Sequence, residues 1–102
     1  MLDRLTKEAF SGLVGETFAI YLAPSRIVET TLVEVNSLGA PAGGPEQVRK
    51  EPFSIILRGP QQPPLAQGMY HVEQDQLGSL EGLFLVPVAA DQQGRYYEAV
   101  FT

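Results

Sequence analysis

Apolar positions in this chain recur mostly at every second residue, the period of a strand that buries one face. From Thr17 to Leu22, Phe18, Ile20 and Leu22 share a face. From Ile27 to Val35 the chain is rich in β-branched residues, which suit a pleated, half-buried surface. The alternation slips there: Val28, Thr30 and Leu32 share one face, then Val33 and Val35 the other. A bulge or strong bend near Leu32 is the expected cause. Phe53 to Arg58 places Phe53, Ile55 and Leu57 on the core face. Gly68 to Gln74 sets Tyr70 and Val72 opposite His71 and Glu73. Leu83 to Val88 is apolar on both faces and is expected to be central or covered. Tyr96 to Phe101 forms the last strand, with Tyr96 and Tyr97 on opposite faces.

One segment follows a different period. Phe10, Leu13 and Val14 fall at helical spacings of three and four. Thr6 is a suitable N-cap, because its hydroxyl can accept from an otherwise unpaired early amide. Leu5 and Phe10 occupy the two positions of a hydrophobic staple, and Gly15 is placed to end the helix in a left-handed conformation. A helix this short needs an apolar surface to lean on.

Turn chemistry separates these elements. Ala23-Pro24-Ser25-Arg26 predicts a turn, and Asp91-Gln92-Gln93-Gly94 a hairpin. Asn36 to Glu51 is read as a loop, Gly59 to Ala66 as an extended connection holding three prolines, and Gly78 and Gly82 as brackets of a turn. Six short strands predict a mostly β fold: a small six-stranded antiparallel barrel or sandwich, with one short N-terminal helix over an open end. Both architectures stay open on pattern alone. Phe18, Phe53, Phe84 and Phe101 are expected to fill the core, and 102 residues fit a single domain, 1–102.

Composition narrows the function by exclusion. The chain has no cysteine, so a disulfide scaffold, a thiolate metal site and a cysteine nucleophile all drop out. Its net charge is −5, and its seven basic residues, Arg4, Lys7, Arg26, Arg49, Lys50, Arg58 and Arg95, are scattered. A phosphate backbone is held by clustered cations, so neither nucleic acid nor an anionic membrane is an expected partner. The N-terminus lacks the apolar core of a signal peptide, and the longest apolar stretch, Leu83 to Ala90, is broken by Pro87. A spanning helix needs about 20 such residues. The expectation is a soluble, cytoplasmic protein.

Candidate chemistry is sparse. His71, Glu73 and Asp75 form a His-x-Glu-x-Asp run that would share a strand face and could ligate a divalent metal. A solvated polar face opposite Tyr70 and Val72 is the preferred reading, so no metal or cofactor is expected. Glu98, on the face of Tyr96 and Val100, could pair with Arg58, and a structural ion pair or a rim charge is favoured over a catalytic carboxylate. Gly78-Ser79-Leu80-Glu81-Gly82 has the wrong spacing for a nucleophile elbow, and the glycine pairs lack the lysine of a phosphate loop. No catalytic residue is assigned. The tyrosines, with apolar area and a polar handle, are the better binding resource. Tyr96, Tyr97, Glu98 and Arg58 are therefore the candidate partner contacts.

Several segments carry a resemblance in order and spacing over nearly the whole chain. They include Leu5-Thr6-Lys7-Glu8-Ala9-Phe10, Val14-Gly15-Glu16-Thr17-Phe18, Pro52-Phe53-Ser54 with Arg58-Gly59-Pro60, and Gln67-Gly68-Met69-Tyr70. Leu77-Gly78, Phe84-Leu85-Val86-Pro87-Val88 and Tyr97-Glu98-Ala99-Val100-Phe101 complete the set. Together they resemble a family of short, uncharacterised bacterial proteins often encoded near phage-tail-collar-like proteins. The resemblance implies an accessory role in a tail-like or secreted-fibre assembly and transfers no catalytic residue. The expected function is a non-enzymatic interaction or structural accessory module that contacts another protein or itself. Incorporation into a tail-like particle is one expected location, and a small-ligand-binding β barrel is the alternative function.

Overall fold

Antiparallel pairing joins the alternating segments into one closed surface. The computed structural model describes residues 5–38 and 52–101. They form α1 (Lys7–Ser11), β1 (Thr17–Ala23), β2 (Arg26–Ser37), β3 (Phe53–Gly59), β4 (Gly68–Gln74), β5 (Gly78–Asp91) and β6 (Gly94–Phe101). The strands close into a six-stranded barrel in the order β1-β2-β3-β6-β5-β4. The barrel thus resolves the alternative left open by pattern. The last seam joins β1 to β4, pairing Ala19 with Glu73, Ile20 with Val72 and Tyr21 with His71.

Every second side chain of each strand points inward and meets its counterparts from across the barrel. Phe18, Ile20, Leu32, Ile55, Leu57, Val72 and Leu85 are fully buried or nearly so. The phase slip in β2 is a bulge, because Leu32 faces Leu57 while Glu34 faces Ile56, leaving Val33 as the extra residue. A second bulge lies in β5 opposite Tyr70 and Val72, and a third between Pro87 and Ala89 against β6. Bulges raise local twist and bend, which helps so few strands to close. Thr30, the one polar inward residue of β2, donates its hydroxyl to the Phe18 carbonyl at 2.8 Å.

The two barrel ends are covered differently. At one, Thr6 caps α1 by accepting from the Ala9 amide at 3.1 Å, and the helix presents Phe10 to the interior. The Phe10 ring sits 6.1 Å from Phe18, 5.6 Å from Phe53 and 5.2 Å from Phe101. At the other, the proline-containing connection folds Leu65 into the core, and the Leu65 amide donates to the Tyr97 hydroxyl at 3.0 Å.

Several details differ from the sequence expectations. The helix stops at Ser11 with Gly12 as its cap, so Val14 lies in the following turn and is exposed. Gly15 does adopt a positive φ of 96°, but it hands the chain to β1: its amide donates to the Leu32 carbonyl at 2.8 Å. The turn expected between Gly78 and Gly82 lies earlier, at 75–77. There the Gln74 side-chain carbonyl accepts from the Gln76 and Leu77 amides, and Gly82 sits at the bulge inside β5. Finally, β5 is not covered on both faces. Leu83 and Leu85 are buried, whereas Phe84 and Val88 face outward, so Phe84 is no part of the core. The expected loop is shorter at its start, since β2 runs on to Ser37 in register with Phe53; residues 39–51 of that loop lie outside the described residues.

Candidate functional site

Among the described residues the barrel interior is lined by buried apolar side chains, and the candidate residues lie mainly on its outer face. Part of the outward surface of β4, β5 and β6 is apolar. Met69 and Phe84 face each other across the β4–β5 ladder, and they are 65% and 45% exposed. Val86 faces Glu98 across the β5–β6 ladder. Phe84 and Val100 each lie two residues beyond that pair on their own strands, and they are 45% and 54% exposed. Ile56 flanks Glu98 from β3. The result is an apolar row crossing three strands, with one carboxylate set into it. Contiguous exposed apolar surface of this kind marks contact sites more often than scattered single residues do.

The four candidate contact residues divide between this row and its surroundings. Tyr96 and Glu98 lie on the outward face of β6 with Val100, both half-buried. Tyr97 points inward and is 1% exposed, so it anchors Leu65 and is not available to a partner. Arg58 pairs in register with Tyr96 and Glu98 with Ile56, and among the described residues no ion pair joins Arg58 to Glu98, which leaves Glu98 as the expected rim charge. The Tyr96 hydroxyl donates to Asp91 Oδ2 at 2.9 Å. That bond raises the Tyr96 hydroxyl above its ordinary pKa. The Gln93 amide, and then the Tyr96 hydroxyl, hold the Asp91 carboxyl below its own. Arg58 also lies on the wall of an open groove of about 640 Å³ at the Leu65 end, with Ile27, Glu29, Pro60 and Gln93.

The His-x-Glu-x-Asp run is split by the fold. His71 and Glu73 share the outward face of β4, but the strand ends at Gln74 and Asp75 falls in the turn. Across the barrel seam, the His71 ring packs edge-on against Tyr21 at 5.1 Å. His71 Nε2 meets Glu73 Oε2 at 2.9 Å, and since an ionised carboxylate only accepts, this nitrogen carries the hydrogen. Ser79 and Tyr21 donate to the same carboxyl at 3.3 and 3.5 Å, and Glu81 Oε2 lies 4.0 Å from His71 Nδ1. The His71 bond, supported by Ser79 and Tyr21 and opposed by partial desolvation, lowers the Glu73 pKa. Glu73 therefore sits between the serine and the histidine, whereas a nucleophilic triad needs the histidine between serine and acid. No group of three or more His, Asp or Glu side chains among the described residues is arranged to hold a metal ion.

The outward row was the feature that sequence reasoning missed. Its signal is present in Leu83 to Val88, apolar on both faces, a pattern equally expected of a covered strand. Met69 carried no periodic signal, since only the register with Phe84 places it in the row.

No helix among the described residues is long and apolar enough to cross a membrane. Residues 5–101 match the family model for a domain of unknown function, DUF6916, and the chain belongs to that family. Comparison with curated proteins and with solved structures found no match.

Proposed function

For this member of the DUF6916 family, we propose a non-enzymatic role as a protein-interaction module that docks through the outward face of β4, β5 and β6. The observation behind it is the row Met69, Phe84 and Val100, exposed together on a barrel whose own core is already complete. Leaving these side chains in water forgoes roughly 25 cal/mol for each Å² of apolar surface, a cost that a partner would relieve. An accessory role in a tail-like assembly, as the family resemblance implies, is a setting in which such a face would be covered. A ligand held inside the barrel has less support, because Ile20, Leu32, Ile55, Leu57, Val72 and Leu85 occupy that space.

The test is to tag the chain at its N-terminus, purify it gently from its native host, and measure the mass and composition of the complex. A stoichiometric partner should be kept by a Gln92→Asp control and lost with Phe84→Asp, whose side chain is already at the surface. A partner retained equally by both variants would place the contact elsewhere, and a bare monomer in every growth condition would refute a stable docking role.

A further inference from the structure

The apolar row has a charge in it, and that charge restricts what can cover it. Glu98 is framed by Ile56 and Val86 on the neighbouring strands and by Tyr96 and Val100 along its own. Among the described residues its carboxylate has no ion-pair or hydrogen-bond partner. An occupant that seals this face against water would bury an unpaired carboxylate, at a cost that a matching cation would offset.

We infer that the face is built for a heterologous partner segment presenting an arginine between apolar side chains, with the guanidinium seated on Glu98. This rests on the docking role proposed above and adds the chemistry of the partner. Arginine fits better than lysine because its planar fork can take both carboxylate oxygens and also stack on a ring. Tyr96 supplies such a ring two residues along the same face, roughly 6.5 Å away by strand geometry. The adjoining apolar side chains of the partner would lie over Phe84, Val86 and Val100.

A second copy of this chain fits poorly. Two copies related by a two-fold axis passing at Glu98 would bring its carboxylate towards its own equivalent. Like charges would then be desolvated together, between chains that each carry a net −5. Addition of a partner strand is also closed off, since each of the six strands already has a neighbour on both sides. Recognition therefore falls to side chains.

A display library of random twelve-residue peptides, selected in parallel on wild type, Glu98→Gln, Glu98→Lys and Phe84→Asp, would test this. Circular dichroism and a thermal melt would first establish that each variant is folded. Peptides selected on wild type should be enriched in arginine flanked by apolar residues. They should bind Glu98→Gln about 30-fold or more weakly, the scale expected when one member of a buried charge pair is removed. Glu98→Lys should select acidic peptides instead. Peptides lost with Phe84→Asp but indifferent to both Glu98 variants would overturn the arginine while leaving the docking face standing. Peptides indifferent to all three variants, or no peptides at all, would overturn both. Sedimentation of wild type as a dimer that Phe84→Asp dissociates would overturn the heterologous partner in favour of a second copy.

Discussion

Gly94 allows a quantitative check of a close backbone approach in the barrel. It opens β6 opposite Asp91, with φ at 150°, in a region that side chains rarely enter. A Cβ placed there would lie 2.1 Å from the Gly59 carbonyl oxygen, a backbone atom of the adjacent strand. Gly94→Ala thus combines two penalties, about 1–3 kcal/mol of backbone strain and about 1–3 kcal/mol of steric displacement. The expected loss is about 2–6 kcal/mol, against a total stability of about 5–15 kcal/mol for a domain of this size. Two other glycines separate the contributions. Gly15 has a φ of 96° but open space around it, so Gly15→Ala should show strain alone. Gly12 has an ordinary helical φ of −75° and open space, so Gly12→Ala should be close to neutral or slightly stabilising. Urea unfolding of the three variants reads the difference directly. With an m-value of about 2 kcal/mol/M, Gly94→Ala should lower the midpoint by about 1–3 M with m unchanged. A Gly94→Ala midpoint equal to that of Gly15→Ala would refute the collision with β3.

Three other outcomes follow from the packing and the charges. Phe10→Ala removes the ring shared by Phe18, Phe53 and Phe101 and should cost about 3–5 kcal/mol in urea unfolding; a loss below about 1 kcal/mol would mean that α1 does not seal the barrel. Tyr97→Phe leaves the buried Leu65 amide without its acceptor and should cost about 1–3 kcal/mol, with faster hydrogen exchange at Leu65 than in wild type. The Glu73 carboxyl has its pKa lowered by folding. Its contribution is therefore present above the unfolded pKa and lost as pH falls through the lower folded value. Glu73→Gln should flatten the acid limb of the stability profile, and an unchanged limb would remove the His71–Glu73 bond from the account.

How far the sequence could be read depended on whether the signal was local. The Thr6 cap, the slip at Leu32 and the Asp91–Gly94 hairpin each depend on a few consecutive residues, and each appears where the pattern put it. The inward alternation of β1 and β3 was equally legible, because Phe18, Ile20, Ile55 and Leu57 need only their own strand to declare a face. What escaped needed a partner across space. Phe84 is as apolar as Phe53, and only the closure of the barrel decides that one ring lies outside and the other within. Sequence position alone offers Glu98 as a partner for Arg58, whereas register places Arg58 beside Tyr96. The turn after β4 was obscured because Gln74, not a glycine, supplies the bonds that close it.

Closure of the barrel also has a kinetic consequence. The β1–β2, β4–β5 and β5–β6 pairs join neighbours in the chain and can form as local hairpins. The β3–β6 and β1–β4 seams cannot: Phe53 must find Phe101, and Ala19 must find Glu73. Two long-range zippers have to meet before the last strand is paired, and each carries its loop-closure entropy ahead of its reward. A chain of this topology is expected to fold over milliseconds to seconds, slowly for its length. Until the seams shut, β1, β3, β4 and β6 expose unpaired backbone, so the interval before closure is when the protein is most open to wrong pairings.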